Sequence, residues 1–223
     1  QPRTRRPITL IATIKNEGQG ILKWLDSIKQ QTRRPDEVII VDGGSTDNTV
    51  ELIRTYEQEN RLGIRVISEA GVNVSRGRNI AIAAATHDQI AATDAGCELD
   101  PRWVELISLP FDLHPETEVI AGFYTVKGST RFGKVSAKLQ EPDLQAINPS
   151  SFSPSSRSIA FRKSFMLGIG GYPEYLTLSG EDTLMNIRAR ANARYWAFVP
   201  EAMVTWQPPH SFKKLFRTCF SWG

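Results

Sequence analysis

Short, unbroken apolar runs recur through the first hundred positions, each followed by a stretch with helical spacing. The runs are Ile8 to Ile14, Glu37 to Val41 ending at Asp42, Arg65-Val66-Ile67 and Gln89-Ile90-Ala91-Ala92. Continuous rather than alternating apolarity suits strands covered on both faces, as in a parallel sheet. Between the runs, Ile21, Leu22, Leu25 and Ile28 mark one face of a helix. Asn48 followed by Glu51 resembles a capping box opening a second helix, and Ser75 can cap a third that runs through Ile80 and Ile82. This alternation predicts βαβ units.

Beyond about residue 100 the pattern changes. Pro101, Pro110 and Pro115 punctuate a short helix, a strand is expected over Val119 to Val126, and Asn148 to Ser156 reads as a Pro/Ser-rich loop. A helix is expected over Gly180 to Ala191, a strand over Tyr195 to Val199, and an amphipathic helix over Phe212 to Phe220. The expectation is one α/β domain over residues 1–223. It has a nucleotide-binding front half (7–100), an α+β acceptor and catalytic half (101–211) and a C-terminal amphipathic segment (212–223).

Size and composition permit a real core: 223 residues, 40% hydrophobic and 23% charged. The net charge of +3 sits at the ends. Six of the 27 basic residues are Arg3, Arg5, Arg6, Lys213, Lys214 and Arg217, leaving residues 7–211 with 21 basic against 24 acidic side chains. No basic stripe remains to support a nucleic-acid partner. Two cysteines, Cys97 and Cys219, make no disulfide framework and fit a reducing compartment. No run approaches the roughly 20 apolar residues that cross a bilayer, so the chain reads as soluble. The end at Ser221-Trp222-Gly223 leaves room for a longer parent.

In open α/β sheets, ligands bind outside the carboxyl ends of the strands. Four polar groups are expected there: Thr13 to Glu17, Asp42 to Asp47, Ser75 to Asn79, and Thr93 to Gly96. Taken singly, each reads as turn chemistry; together they point to a site. Asp42 comes too early to cap a helix and can accept hydrogen bonds from a base or ribose. Arg76 and Arg78 stand in a helix's first turn, where the macrodipole disfavours cations, so an anion such as diphosphate between them would reverse the sign. Asp94 is a candidate ligand for a divalent cation, with His210 as a second ligand. Glu181 and Asp182 are adjacent on a helix and diverge by about 100°, so they cannot share one task.

These residues resemble the inverting, family-2 nucleotide-sugar glycosyltransferases of the GT-A fold. The resemblance is carried in order by Thr13 with Asn16-Glu17, Val41-Asp42-Gly43-Gly44-Ser45-Thr46-Asp47, Arg78-Asn79, Asp94-Ala95-Gly96, Gly170-Gly171-Tyr172, Glu181-Asp182, and Trp206 with His210. It implies a Rossmann-like, mostly parallel sheet. It also implies that Thr13, Glu17, Asp42, Arg78 and Asp94 hold a nucleoside-diphosphate sugar, with Asp182 the general base and Glu181 touching the acceptor. The acceptor would be a glycan or a lipid-linked hydroxyl. A divalent metal, Mn²⁺ or Mg²⁺, would rest on Asp94 and His210, because Gly96 stands where the family's Asp-x-Asp element has its second acid.

A dinucleotide oxidoreductase would need G-x-G-x-x-G after the first strand, and Gly18-Gln19-Gly20 is followed three residues on by Lys23. A non-catalytic sugar-nucleotide or glycan-binding module is the remaining alternative, and the intact Glu181-Asp182 pair speaks against it. The expected location is the cytoplasm, where segment 212–223, basic and apolar, can hold the chain on the cytoplasmic face of a membrane.

Overall fold

The computed structural model describes residues 5–177, 179–208, 211–213 and 215–216. In chain order the elements begin with β1 (Ile8–Ile14), α1 (Gly20–Lys29), β2 (Glu37–Asp42), α2 (Thr49–Asn60), β3 (Ile64–Ser68), α3 (Val74–Ala84) and β4 (Gln89–Ala92). Then come β5 (Cys97–Leu99), α4 (Trp103–Leu113), β6 (Val119–Val126), α5 (Arg131–Gln140), β7 (Ile159–Arg162), α6 (Lys163–Gly168), α7 (Glu181–Asn192) and β8 (Trp196–Trp206). Among the described residues the strands form one eight-stranded sheet in the order β3-β2-β1-β4-β7-β6-β8-β5. The first four strands are parallel, β7 runs antiparallel to both β4 and β6, β6 pairs parallel with β8, and β5 pairs antiparallel with β8.

The continuous apolar runs fold as their composition demands. Ile8, Leu10, Ala12 and Ile14 of β1 join Val38 and Ile40 of β2 in one core, with Trp24 and Leu25 of α1 and Trp103 of α4. Ile11, Ile39 and Val41 point the other way, into a second core with Ala81 and Ile82 of α3, Met166 of α6 and Met185 of α7. The period-2 alternation of a strand serves two cores only when both faces are covered.

Several boundaries differ from expectation. Ser75 does not cap α3: Asn73 does, its Oδ1 accepting from Arg76 N at 2.9 Å. Asn48 makes no side-chain cap on α2; instead Asp47 Oδ1 accepts from Thr49 N (3.1 Å) and Thr49 Oγ1 (2.5 Å). The last strand runs to Trp206, well past Val199. Its pairing with β6 shifts register between Ala121 and Phe123, where Gly122 lies. A Cβ at Gly122 would lie 2.8 Å from Ala202 O, so only glycine admits β8 there. Strands β5 and β7 and helices α5 and α6 were not anticipated. Asn148 to Ser156 forms no helix or strand.

Candidate active site

The carboxyl ends of β1 and β2 open into a cleft of about 390 Å³. Thr13, Lys15 and Glu17 line it from the end of β1, Ser75 and Gly77 from α3, and Glu181 from the start of α7. Gly77 is what allows α3 to approach: a Cβ there would lie 2.7 Å from Thr13 Cγ2. The two loops at the strand ends are stitched together. Asn16 N donates to Ser45 Oγ (2.9 Å), and Asn16 Oδ1 accepts from Thr46 N (2.8 Å), with Asn16 in the left-handed region at φ 56°. Asp42 belongs to this stitching and does not line the cleft. It is 3% exposed, and its carboxylate accepts from Ser45 N (3.0 Å) and Ser45 Oγ (2.6 Å).

The other residues singled out by sequence converge, though not as expected. Arg78 does not stand open to an anion beside Arg76. It is buried, and its Nη1 donates to Asp182 Oδ1 (3.1 Å) and Glu181 Oε1 (3.3 Å) while Nη2 donates to Asp94 Oδ1 (3.0 Å). Burial alone would lower its proton affinity; Asp182, Asp94, Tyr172 and Glu181 more than reverse that, so Arg78 stays protonated. Its guanidinium lies 5.1 Å from the Tyr172 ring centroid. Arg76 is exposed and lines a separate cleft with Glu69 and Glu174. One buried cation thus gathers three carboxylates, one from the β4 end and two from α7.

Asp182 is held from the other side as well. Its Oδ2 accepts from Ser156 N (3.0 Å) and Ser155 Oγ (3.3 Å), and its Oδ1 accepts a very short bond from Ser156 Oγ. Ser156 Oγ in turn meets Tyr172 Oη at 2.8 Å. The Gly170-Gly171-Tyr172 corner is clamped to α3, where Tyr172 N donates to Asn79 Oδ1 (2.8 Å) and Asn79 Nδ2 donates to Tyr172 O (2.9 Å).

Ser155, Ser156 and Arg157 were missed, because they end a loop whose composition reads only as irregular chain. The sole signal was Arg157 itself, a cation in an otherwise uncharged stretch from Asn148 to Phe161.

The described residues do not make up a divalent-cation set. Among them no three His, Cys, Asp or Glu side chains cluster suitably, and Asp94, the single acid of its element, is paired with Arg78 and faces Arg157 at 3.8 Å. His210 and most of segment 212–223 lie outside the described residues. Among the described residues no helix is long and apolar enough to cross a membrane.

The profile of the family described as Glycosyl transferase family 2 matches residues 9–167. The chain belongs to glycosyl transferase family 2. It is 26% identical over 229 residues to the O-antigen chain rhamnosyltransferase WbaN of Salmonella anatum, covering 94% of this chain and 70% of that one. It is 28% identical over 233 residues to the O-antigen chain rhamnosyltransferase RfbN of Salmonella typhimurium, covering 95% and 71%. Among solved structures it resembles Staphylococcus aureus TarS 1-349 in complex with UDP-GlcNAc (TM-score 0.73, 20% identity, 92% of this chain and 59% of that one). It also resembles the mannosyltransferase PcManGT of Pyrobaculum calidifontis in complex with GDP-Man and Mn²⁺ (TM-score 0.71, 20% identity, 94% and 59%). The chain therefore spans about three fifths of these two solved chains. The mixed sheet is that of the GT-A glycosyltransferases, and as a member of this family the chain is a glycosyltransferase, a sugar-transferring enzyme.

Proposed function

We propose that this glycosyltransferase moves a sugar from a nucleoside-diphosphate donor to a glycan or lipid-linked hydroxyl, with inversion, and that Asp182 is the general base. The observation that carries this reading is the junction of two features: a strand-end cleft that includes Glu181, and the next residue, Asp182, buttressed by four hydrogen-bond donors. The relatives named above are rhamnosyltransferases, and the two solved structures hold UDP-GlcNAc and GDP-Man, which supports a sugar-nucleotide donor and an acceptor of glycan type.

Direct displacement needs a hydroxyl deprotonated as the sugar–phosphate bond breaks on the opposite face. An ionised carboxylate has about four lone-pair sites, and in Asp182 all are engaged. The longest bond, from Ser155 Oγ at 3.3 Å, is the one an acceptor hydroxyl replaces, giving its proton to Oδ2. Arg78 and Ser156 keep the other oxygen in place. Glu181 lines the strand-end cleft one residue away from the base, which suits the acceptor contact expected of it.

The test is Asp182→Asn. It should keep donor affinity while nucleoside-diphosphate release in the presence of acceptor falls at least about 100-fold, the low end for general-base catalysis. Unchanged turnover would refute the base assignment, and no release from the unaltered protein would favour a binding module. The segment 212–223 is read as a peripheral contact with the cytoplasmic face of a membrane; liposome flotation unchanged by removing residues 211–223 would end that reading.

A further inference from the structure

Arg157 has a disposition that its own fold neighbours do not consume. Its guanidinium lies 4.4 Å from the Trp206 ring centroid and 5.2 Å from that of Tyr124. Among the described residues the side chain donates one hydrogen bond, from Nη1 to Ser155 Oγ at 3.2 Å. Among the described residues its buried Nε has no hydrogen-bond partner, and Asp94 Oδ2 at 3.8 Å is too far for one. A guanidinium carries five N–H donors, and its planar fork matches two phosphate oxygens at once. Aromatic faces fix its plane and shed its water, which prepares it to receive an anion.

Arg78 offers the opposite picture. Both of its terminal nitrogens are committed to three carboxylates. Its single charge is already outnumbered, and an incoming diphosphate would gain little from it. Arg157 faces one carboxylate at long range. Its neighbourhood also connects with the donor cleft: Ala95 and Gly96, which follow Asp94, and Thr205 and Gln207, which flank Trp206, line a second cleft of about 370 Å³. Glu17 lines both clefts. Arg157 itself lines neither of these two clefts; its link to them is Asp94, which it faces at 3.8 Å and which Ala95 and Gly96 of the second cleft follow in sequence.

We propose that Arg157, stacked on Trp206 and Tyr124, is the cation that receives the donor's diphosphate. This rests on the sugar-nucleotide reading above. It assigns Arg157 the charge-neutralising role that Asp94, as a lone acid without a partner at Gly96, is poorly equipped to fill through a metal. Paired with the departing diphosphate, Arg157 would stabilise the negative charge that develops as the sugar leaves.

Calorimetry with nucleoside, nucleoside monophosphate and nucleoside diphosphate tests this, using the uridine, guanosine and thymidine series in turn, with chelator and then with Mn²⁺. In chelator the unaltered protein should bind one diphosphate about 10-fold or more tighter than its monophosphate, the scale of a charged hydrogen-bonded contact. Arg157→Gln should erase that ratio and leave monophosphate affinity unchanged, which also reports an intact fold; Arg157→Lys should keep part of it. A ratio preserved in Arg157→Gln overturns the assignment, as does one that appears only with Mn²⁺. Absence of any nucleotide binding by the unaltered protein overturns the sugar-nucleotide reading itself, and the Arg157 assignment with it.

Discussion

Gly77 decides how closely α3 can lie against β1, and so the shape of the cleft wall. A methyl group there would meet Thr13 Cγ2 at 2.7 Å and Val41 Cγ1 at 3.7 Å. Gly77→Ala should therefore cost about 1–3 kcal/mol, as overpacked cores do, and denaturant melts will measure it. Adding Thr13→Ser removes the offending methyl and should recover most of the loss; a Gly77→Ala protein as stable as the parent would show that α3 yields freely. Position 78 shows how far a sequence can be read at this scale. From sequence, Arg78 falls in the first turn of a helix and asks for an anion; the cap at Asn73 puts it in the second turn of α3, yet it has three anions. That the anions are its own carboxylates, 16, 103 and 104 positions away, is a long-range fact that no local pattern encodes. The partners of Arg157 were illegible for the same reason, since Tyr124 and Trp206 reach it from β6 and β8.

Between elements, Asp88 fastens β4 to the β7–α6 junction. Its carboxylate accepts from Arg162 Nη1 (2.9 Å) and Ser164 N (3.0 Å), and its carbonyl accepts from Lys163 N. Burial works to raise its pKa, but the Ser164 N–H, the Arg162 guanidinium and the Ser164 hydroxyl outweigh it, so the group titrates below the usual aspartate value. A folded-state pKa below the unfolded one stabilises the fold fully above about pH 4 and stops doing so as pH falls through the lower, folded value. Asp88→Asn should then cost about 1 kcal/mol near neutrality, no more because the side chain is 44% exposed, and the gap should close in acid. A gap independent of pH would mean that charge plays no part. The long elements of the front half were legible because their periodicity persists over many residues. Strands of three and four residues, β5 and β7, carry too few positions for any period. The α3 cap lies two residues upstream of Ser75, at Asn73, whose side-chain amide also donates to Glu174 O at 2.7 Å.

For the whole molecule, the antiparallel joint between β4 and β7 makes one sheet out of the two halves. Thermal unfolding should accordingly follow a single transition, coincident by far-ultraviolet and tryptophan signals; two separated transitions would show that the halves are independent bodies. Saturation with a nucleoside diphosphate at about 100 times its Kd should add about 2.7 kcal/mol and raise Tm by roughly 5–11 °C for a chain of this size. No shift with any base would count against the donor site. The parallel front half and a cleft at its carboxyl strand ends were readable from sequence. The order of the back half was not, because antiparallel insertion and the register shift at Gly122 depend on contacts between distant segments.

The separation of 103 and 104 positions between Arg78 and its partners on α7 also matters during synthesis. The ribosome completes β1 to β4 well before it decodes α7. At that moment Arg78 has only Asp94, and the base proposed at position 182 has not been made. A prematurely terminated chain that lacks α7 therefore leaves Arg78 with one of its three carboxylates and, on the reading proposed above, has no base.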